Sequence, residues 1–284
     1  MSDSIAVQSP AKVNYYLRVQ AKRQDGYHDL VSIMGKVSLF DEIMVSLAPR
    51  GILVRCDHAE VPQGPDNIVF RAARLILDAA GMKGGVDIEI TKRIPVQSGL
   101  GGASSNAATV MRALNEMMNL GFSMEELMGL GIGVGSDVPF FLFGSPALAT
   151  GKGEILERVK GIPEAWLVIV KPRGGISTRD AYKRLDLILT ESKKNTMIPR
   201  FNDSFDALIG AMRNDFEPVA ELMLPEIAQI KGELLRQGSG GAMLTGSGSA
   251  VFGLFADEAG AQRAYRALRD RRDWNVFLAK NLFD

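Results

Sequence analysis

The segment from Ile94 to Asn115, IPVQSGLGGASSNAATVMRALN, limits what this chain can fold into more than any other. It joins a strand-like run to a helix through small residues: Gly99, Gly101, Gly102, Ala103 and Ser104. Before it, Val86, Ile88 and Ile90 alternate with Asp87, Glu89 and Thr91, the period of a half-buried strand. After it, Ala107, Val110, Met111, Leu114, Met117 and Met118 keep to one helical face. Glycine permits positive φ at little cost and lets a ligand approach the backbone closely. A helix opening just past such a loop points unpaired N–H groups and the positive end of its dipole there. Phosphate is the natural occupant. Ser104, Ser105 and Asn106 add side-chain donors where the helix is expected to begin, and a turn that only connects strand to helix would need none of them.

Two familiar phosphate loops do not fit. A Walker A loop requires G-x-x-x-x-G-K-[ST], and the nearest approach, Gly144 to Gly153, has the wrong spacing. Gly99 to Ser104 carries Ser104 where G-x-G-x-x-G needs its last glycine. A dinucleotide fold would follow the helix with a second strand ending in an acidic residue. Instead comes FSMEELMGLG, in which Ser123 and Glu126 form the capping-box pattern of another helix.

Composition narrows the class. At 284 residues, 46% apolar and 23% charged, the chain suits one large or two ordinary domains with proper cores. Lys plus Arg and Asp plus Glu are 33 each, so no global field recruits nucleic acid. The single Cys56 leaves no partner for an internal disulfide or a cysteine-based metal cluster. MSDSIAVQSPAK lacks a signal-peptide pattern, and no apolar run approaches a membrane span. A cytoplasmic protein is expected.

The first half reads as a sheet with several helices. A strand is expected around Val13–Val19, a turn at Gln24-Asp25-Gly26, and β-like stretches at Val31–Leu39, Glu42–Leu47 and Gly51–Arg55. A helix is expected over Asn67–Ala80. The second half runs strand (Trp166–Lys171), helical stretches (Thr178–Leu189, Asp203–Met212, Glu217–Leu235), two strands (Ala242–Thr245, Ala250–Phe255), helix (Asp257–Arg271) and closing strand (Val276–Ala279). That is a split β-α-β layout. A break near Gly161-Ile162-Pro163 divides the chain into residues 1–160 and 161–284.

Three more segments stand out. In Pro10–Asn14, PAKVN, Lys12 enters a strand, where a lysine is usually a solvated edge charge. In Gly133–Phe141, Asp137 stands before Phe140 and Phe141, as a helix N-cap or as a partly buried base. Leu244–Ala250, LTGSGSA, is a hairpin turn or a phosphate path lined by Gly246 and Ser247.

Taken in order, PAKVN, GLGGASSNAA (Gly99–Ala108) and LTGSGSAVF (Leu244–Phe252) resemble the three motifs of the GHMP kinases, which phosphorylate hydroxyls of small molecules. Arg23–His28, RQDGYH, and Gly135–Phe141, GSDVPFF, narrow the likeness to members acting on the cytidine diphosphate conjugate of methylerythritol in non-mevalonate isoprenoid synthesis. Gln97-Ser98 and Ala103 depart slightly from the family pattern, which touches loop detail only. The resemblance implies an α+β, two-domain fold. Its N-terminal domain would be like domain 2 of ribosomal protein S5, and its C-terminal domain ferredoxin-like.

It further implies ATP-dependent phosphorylation of the substrate's 2-hydroxyl. Asp137 would be general base and Lys12 would keep it ionised and offset charge on the reacting oxygens. The ATP stretch would be Pro95, Val96, Gln97, Ser98, Gly99, Leu100, Gly101, Gly102, Ala103, Ser104, Ser105 and Asn106. Tyr27 and His28 resemble the cytosine-binding pair, Tyr182 stands where a second stacking aromatic is expected, and Asn14, Thr178, Gly246 and Ser247 are substrate contacts. Mg²⁺ accompanies ATP. No acidic pair marks its ligands, and Ser105 is the one suggestion. A monomer or homodimer without nucleic-acid or membrane partners is expected. Two rivals stay open: another GHMP kinase acting on a different alcohol, or a non-catalytic nucleotide or sugar-phosphate sensor.

Overall fold

The fold is given by a computed structural model, which describes residues 4–24, 26–188 and 198–283. Asp25 of the expected turn and Leu189 of the expected helix lie outside them. The chain opens with β1 (Ser4–Lys22), β2 (His28–Ala48), β3 (Ile52–Cys56), α1 (Ile68–Ala79), β4 (Gly85–Thr91) and α2 (Gly102–Met117). Then come α3 (Met124–Ile132), α4 (Val138–Phe143), β5 (Ala147–Thr150), β6 (Ile155–Arg158), β7 (Trp166–Pro172), α5 (Thr178–Ile188) and α6 (Phe205–Ala211). The last elements are β8 (Arg213–Asn214), α7 (Glu217–Met223), α8 (Glu226–Arg236), β9 (Gly241–Leu244), β10 (Val251–Phe255), α9 (Glu258–Leu268) and β11 (Trp274–Leu282).

Two compact units form. The first holds the described parts of Met1–Ala11, Phe40–Val96 and Gly101–Gly144; the second holds those of Lys12–Leu39, Gln97–Leu100 and Ser145–Asp284. This grouping does not follow one cut between residues 160 and 161. The reason is that β1 and β2 are long strands, and each supplies a segment to both units.

In the first unit β4 lies between β2 and β3, antiparallel to β2 (Ile43↔Ile90) and parallel to β3 (Val54↔Ile88). Val86, Ile88 and Ile90 are buried, as their alternation requires. Helix α1 is capped by Asn67, which accepts from the Val69 N–H, and buries Val69, Ala72, Ala73, Ile76 and Leu77. It packs against α2, whose buried face includes Ala107, Val110, Met111 and Leu114. The Ser123–Glu126 capping box is formed at the start of α3.

The second unit contains an antiparallel sheet ordered β11-β7-β10-β9. Its strands follow the chain as β7, β9, β10, β11, with helices α5 to α8 between the first two and α9 between the last two. That is the ferredoxin-like arrangement expected for the C-terminal part. Leu17, Val168, Val170, Phe216, Ile227, Ile230, Leu234, Val251 and Leu268 share its core. The expected stretches Val31–Leu39 and Glu42–Leu47 form one strand, since nothing at Phe40-Asp41 breaks it. The helical stretches expected within Glu217–Leu235 are two helices, parted at Leu224–Pro225 because proline has no backbone N–H to give a continuous helix. Short strands β5, β6 and β8 carried no sequence pattern of their own; β8 pairs in parallel with β1, Tyr16 opposite Arg213.

Candidate active site

Lys12 is not a solvated edge charge. It is 4% exposed, and its Nζ donates to Asn14 Oδ1 at 2.5 Å. Asn14 Oδ1 also accepts from the Gly246 N–H at 3.0 Å, while Asn14 Nδ2 donates to Ser32 Oγ at 2.8 Å. Backbone bonds tie the neighbouring loops together: Lys12 N–H to Leu100 O, Ala250 N–H to Ser98 O and Ser249 N–H to Gln97 O. A Cβ on Gly99, whose φ is +77°, would lie 2.1 Å from Thr245 O, so only glycine fits there. Asn214 completes the weave, donating to the carbonyls of Leu244 and Gly246 at 2.9 and 2.8 Å. Thr178, at the start of α5, and Ser247 have their hydroxyls 2.8 Å apart. Thus Lys12, Asn14, Gly246 and the Gln97–Leu100 half of the glycine loop come together in the second unit, with Thr178 and Ser247 as a second pair.

The other half of the loop belongs to the first unit. Helix α2 opens at Gly102 rather than near Ser104, because Gly101 adopts the left-handed conformation (φ 73°) that turns the chain into the helix. No side chain caps it, so its leading N–H groups keep their anion-binding character. Ala103 is exposed and Ser104 half-buried at this end, and Pro95 and Val96 are half-buried on the approach. Ser105 and Asn106 are different. Ser105 is buried and its hydroxyl accepts from Ser9 Oγ at 2.7 Å; Asn106 Nδ2 donates to Asp41 Oδ2 at 2.9 Å. Asp41 is fully buried and also accepts from the N–H groups of Arg93 and Ile94 and from Lys92 Nζ at 2.7 Å. This buried charged cluster anchors the strand end, the loop entry and the first turns of α2.

Asp137 precedes α4 in helical conformation (φ −88°, ψ −8°), and its side chain makes no capping bond. The helix-cap role is therefore not the one it fills. It is half-buried, followed by the buried Val138, Pro139, Phe140 and Phe141.

At the expected base-binding segment, His28 is buried and Tyr27 is 59% exposed with Lys152 Nζ 4.9 Å from its ring centre. His28 stacks on Tyr182 at 4.9 Å and 21°, and Tyr182 meets Phe216 edge-on. Tyr182 is thus a stacking partner of His28. His28 Nε2 lies 2.5 Å from Asp186 Oδ1, and Lys22 Nζ donates to Asp186 Oδ2 at 2.5 Å. Lys22 holds the Asp186 carboxyl below its ordinary range, with His28 adding to that effect against partial burial.

Among the described residues no group of three or more acidic, histidine or cysteine side chains is placed to hold a metal ion. The Ser105 hydroxyl accepts a hydrogen bond from Ser9. No helix among the described residues is long and apolar enough to cross a membrane.

Sequence reasoning missed Asp41, Lys92, Asp186 and Asn214. Only Asp186 left a trace, standing four residues after Tyr182 on one helical face. The others serve through contacts distant in sequence.

Within the second unit, a buried lysine interlocked with a glycine-rich loop is the arrangement a phosphate-handling enzyme needs. The chain belongs to the GHMP kinase family: residues 67–145 match the model of the GHMP kinases N terminal domain and residues 198–272 that of the GHMP kinases C terminal. It is an ATP-dependent small-molecule kinase. A 4-diphosphocytidyl-2-C-methyl-D-erythritol kinase of Geobacter metallireducens is 45% identical over 280 residues, covering 98% of this chain and 99% of the relative. A crystal structure of 4-(cytidine 5'-diphospho)-2C-methyl-D-erythritol kinase superposes with a TM-score of 0.82 at 33% identity, over 98% of this chain and 99% of that one. Homoserine kinase from Cytophaga hutchinsonii shares the fold, with a TM-score of 0.75 at 19% identity over 100% of this chain and 96% of its own.

Proposed function

We propose that this kinase transfers the γ-phosphate of ATP to the 2-hydroxyl of 4-diphosphocytidyl-2-C-methyl-D-erythritol, with Asp137 and Lys12 as its catalytic residues. Similarity along the full length to kinases of that name supports the substrate. The observation that carries the chemistry is the burial of Lys12, held by Asn14 against the turn that contains Gly246. Burying an ammonium costs several kcal/mol unless it is well paired, and a purely structural strand would dispense with it.

Phosphoryl transfer asks a protein for positioning and charge neutralisation more than for covalent chemistry. Pro95–Leu100 and the start of α2 hold the triphosphate through backbone N–H groups. Asp137 accepts the proton of the 2-hydroxyl as that oxygen bonds to the γ-phosphorus and the bond to the ADP oxygen breaks. Lys12 offsets negative charge on the reacting oxygens. Magnesium on the phosphates would supply further neutralisation. Asn14, Thr178, Gly246 and Ser247 orient the acceptor, and Tyr27, His28 and Tyr182 receive the cytosine end. The protein acts without nucleic-acid or membrane partners, in the cytoplasm, as a monomer or homodimer.

The experiment is an ADP-release assay on the purified protein across a panel of alcohols, including the cytidylated substrate and the same alcohol without cytidine diphosphate. Turnover confined to the cytidylated alcohol is expected. Equal efficiency on both points to another GHMP substrate, and no ADP release with any of them points to a sensor.

A further inference from the structure

Asp186 lies one helical turn beyond Tyr182 on α5, so the two side chains share a face of that helix. Tyr182 covers the ring of His28, and Asp186 Oδ1 holds its Nε2 at 2.5 Å. His28 is buried, which shields this bond from competing water. An ionised carboxylate only accepts, so the hydrogen in this contact belongs to Nε2. The other Asp186 oxygen takes Lys22 Nζ at 2.5 Å. In the neutral imidazole this contact fixes the Nε2–H tautomer and leaves Nδ1 as an acceptor.

We propose that Asp186 is a specificity-determining positioning residue: by fixing His28 with Nδ1 as acceptor, it selects a pyrimidine bearing an amino group over one bearing a carbonyl at that edge. Cytosine offers an N4 amino donor where uracil offers the O4 acceptor. Against Nδ1, the uracil carbonyl would set lone pair against lone pair. The imidazole cannot turn to relieve this, because Nε2 is pinned and Tyr182 packs against its face. The inference rests on the cytidylated-substrate reading above. An Asp186→Asn amide can donate or accept, so the tautomer is no longer imposed.

Two measurements test it. The chain has two histidines, His28 and His58, so a His58→Gln background leaves one imidazole to observe by long-range ¹H–¹⁵N NMR. The Nε2–H tautomer is expected with Asp186 and a mixture with Asn. The second measurement compares kcat/KM for the cytidine conjugate and its uridine counterpart. The cytidine preference should fall about tenfold or more in Asp186→Asn, equivalent to ~1.4 kcal/mol and typical of one hydrogen bond. The change should sit in KM for the conjugate, leave KM for ATP unchanged and be restored by Asp186→Glu. An unchanged preference, or an Nδ1–H tautomer in the protein with Asp186 intact, overturns the assignment alone. Failure to use the cytidine conjugate while another alcohol is turned over overturns the substrate reading and the selectivity together.

Discussion

At the scale of single residues, the site is made of side chains whose obvious structural jobs are not the ones they do. Lys12 could have been an edge charge and Asp137 a helix cap. One is buried against Asn14, and the other makes no cap. If Asp137 is the base, Asp137→Asn keeps its size and removes its proton acceptance. We expect kcat to fall by ~10²-fold or more while ATP affinity, set elsewhere, persists. Near-normal turnover measured in steady state would remove Asp137 from the mechanism. Ser105 and Asn106 are tied into the first unit as well. Their position in the loop motif suggests ligand donors, and the structure also gives each a partner, Ser9 for Ser105 and Asp41 for Asn106. These bonds fix the first turns of α2.

Among the elements, α2 matters most, and its start depends on Gly101. A valine there would need φ near +73°, which branched residues avoid, and would fill the space a phosphate needs. Gly101→Val should therefore lose nucleotide binding. Saturating ATP, at about 100 times its Kd, should stabilise the parent protein by ~2.7 kcal/mol and the variant by almost nothing. Thermal melts with and without ATP read this directly, and an equal upward shift in both proteins would reduce the loop to a connector. Helix α3 carries a test of another kind. The Glu126 carboxyl is held below its ordinary value of 4.5 by the Ser123 N–H and hydroxyl. Its stabilising contribution is complete above that pH and disappears as the pH falls through the lowered value. The Tm gap between the parent and Glu126→Ala should be present at pH 7 and close in strong acid; a gap independent of pH would mean that the charge plays no part. These elements were legible because their signals are local: a capping box, an alternating strand, a glycine loop. Strand β8 was not, since two residues pairing with β1 carry no period. The role of Asp41 was hidden because its partners Lys92, Ile94 and Asn106 are more than 50 residues away.

For the molecule as a whole, the sequence showed two kinds of architecture in succession but not how the chain is shared between them. Residues 12–39 precede most of the first unit and belong to the second, where β2 pairs with β5 and β11. A cut at 160/161 consequently separates strands that must pair. We expect fragments 1–160 and 161–284 to be insoluble or unfolded when made separately, and to recover circular dichroism and ADP release only when produced together. Independent folding of either fragment would contradict this.

The same sharing sets an order of events on the ribosome. Every segment of the first unit has been synthesised once Gly144 has emerged, whereas residues 12–39 must wait for β11, ending at Leu282, before their pairing is complete. Through the second half of translation, then, a nascent chain carries part of an early strand with its hydrogen-bonding edge uncovered. Such edges invite association with other chains. The yield of active enzyme should therefore depend on how quickly the last hundred or so codons are read and on chaperones that occupy that edge in the interval.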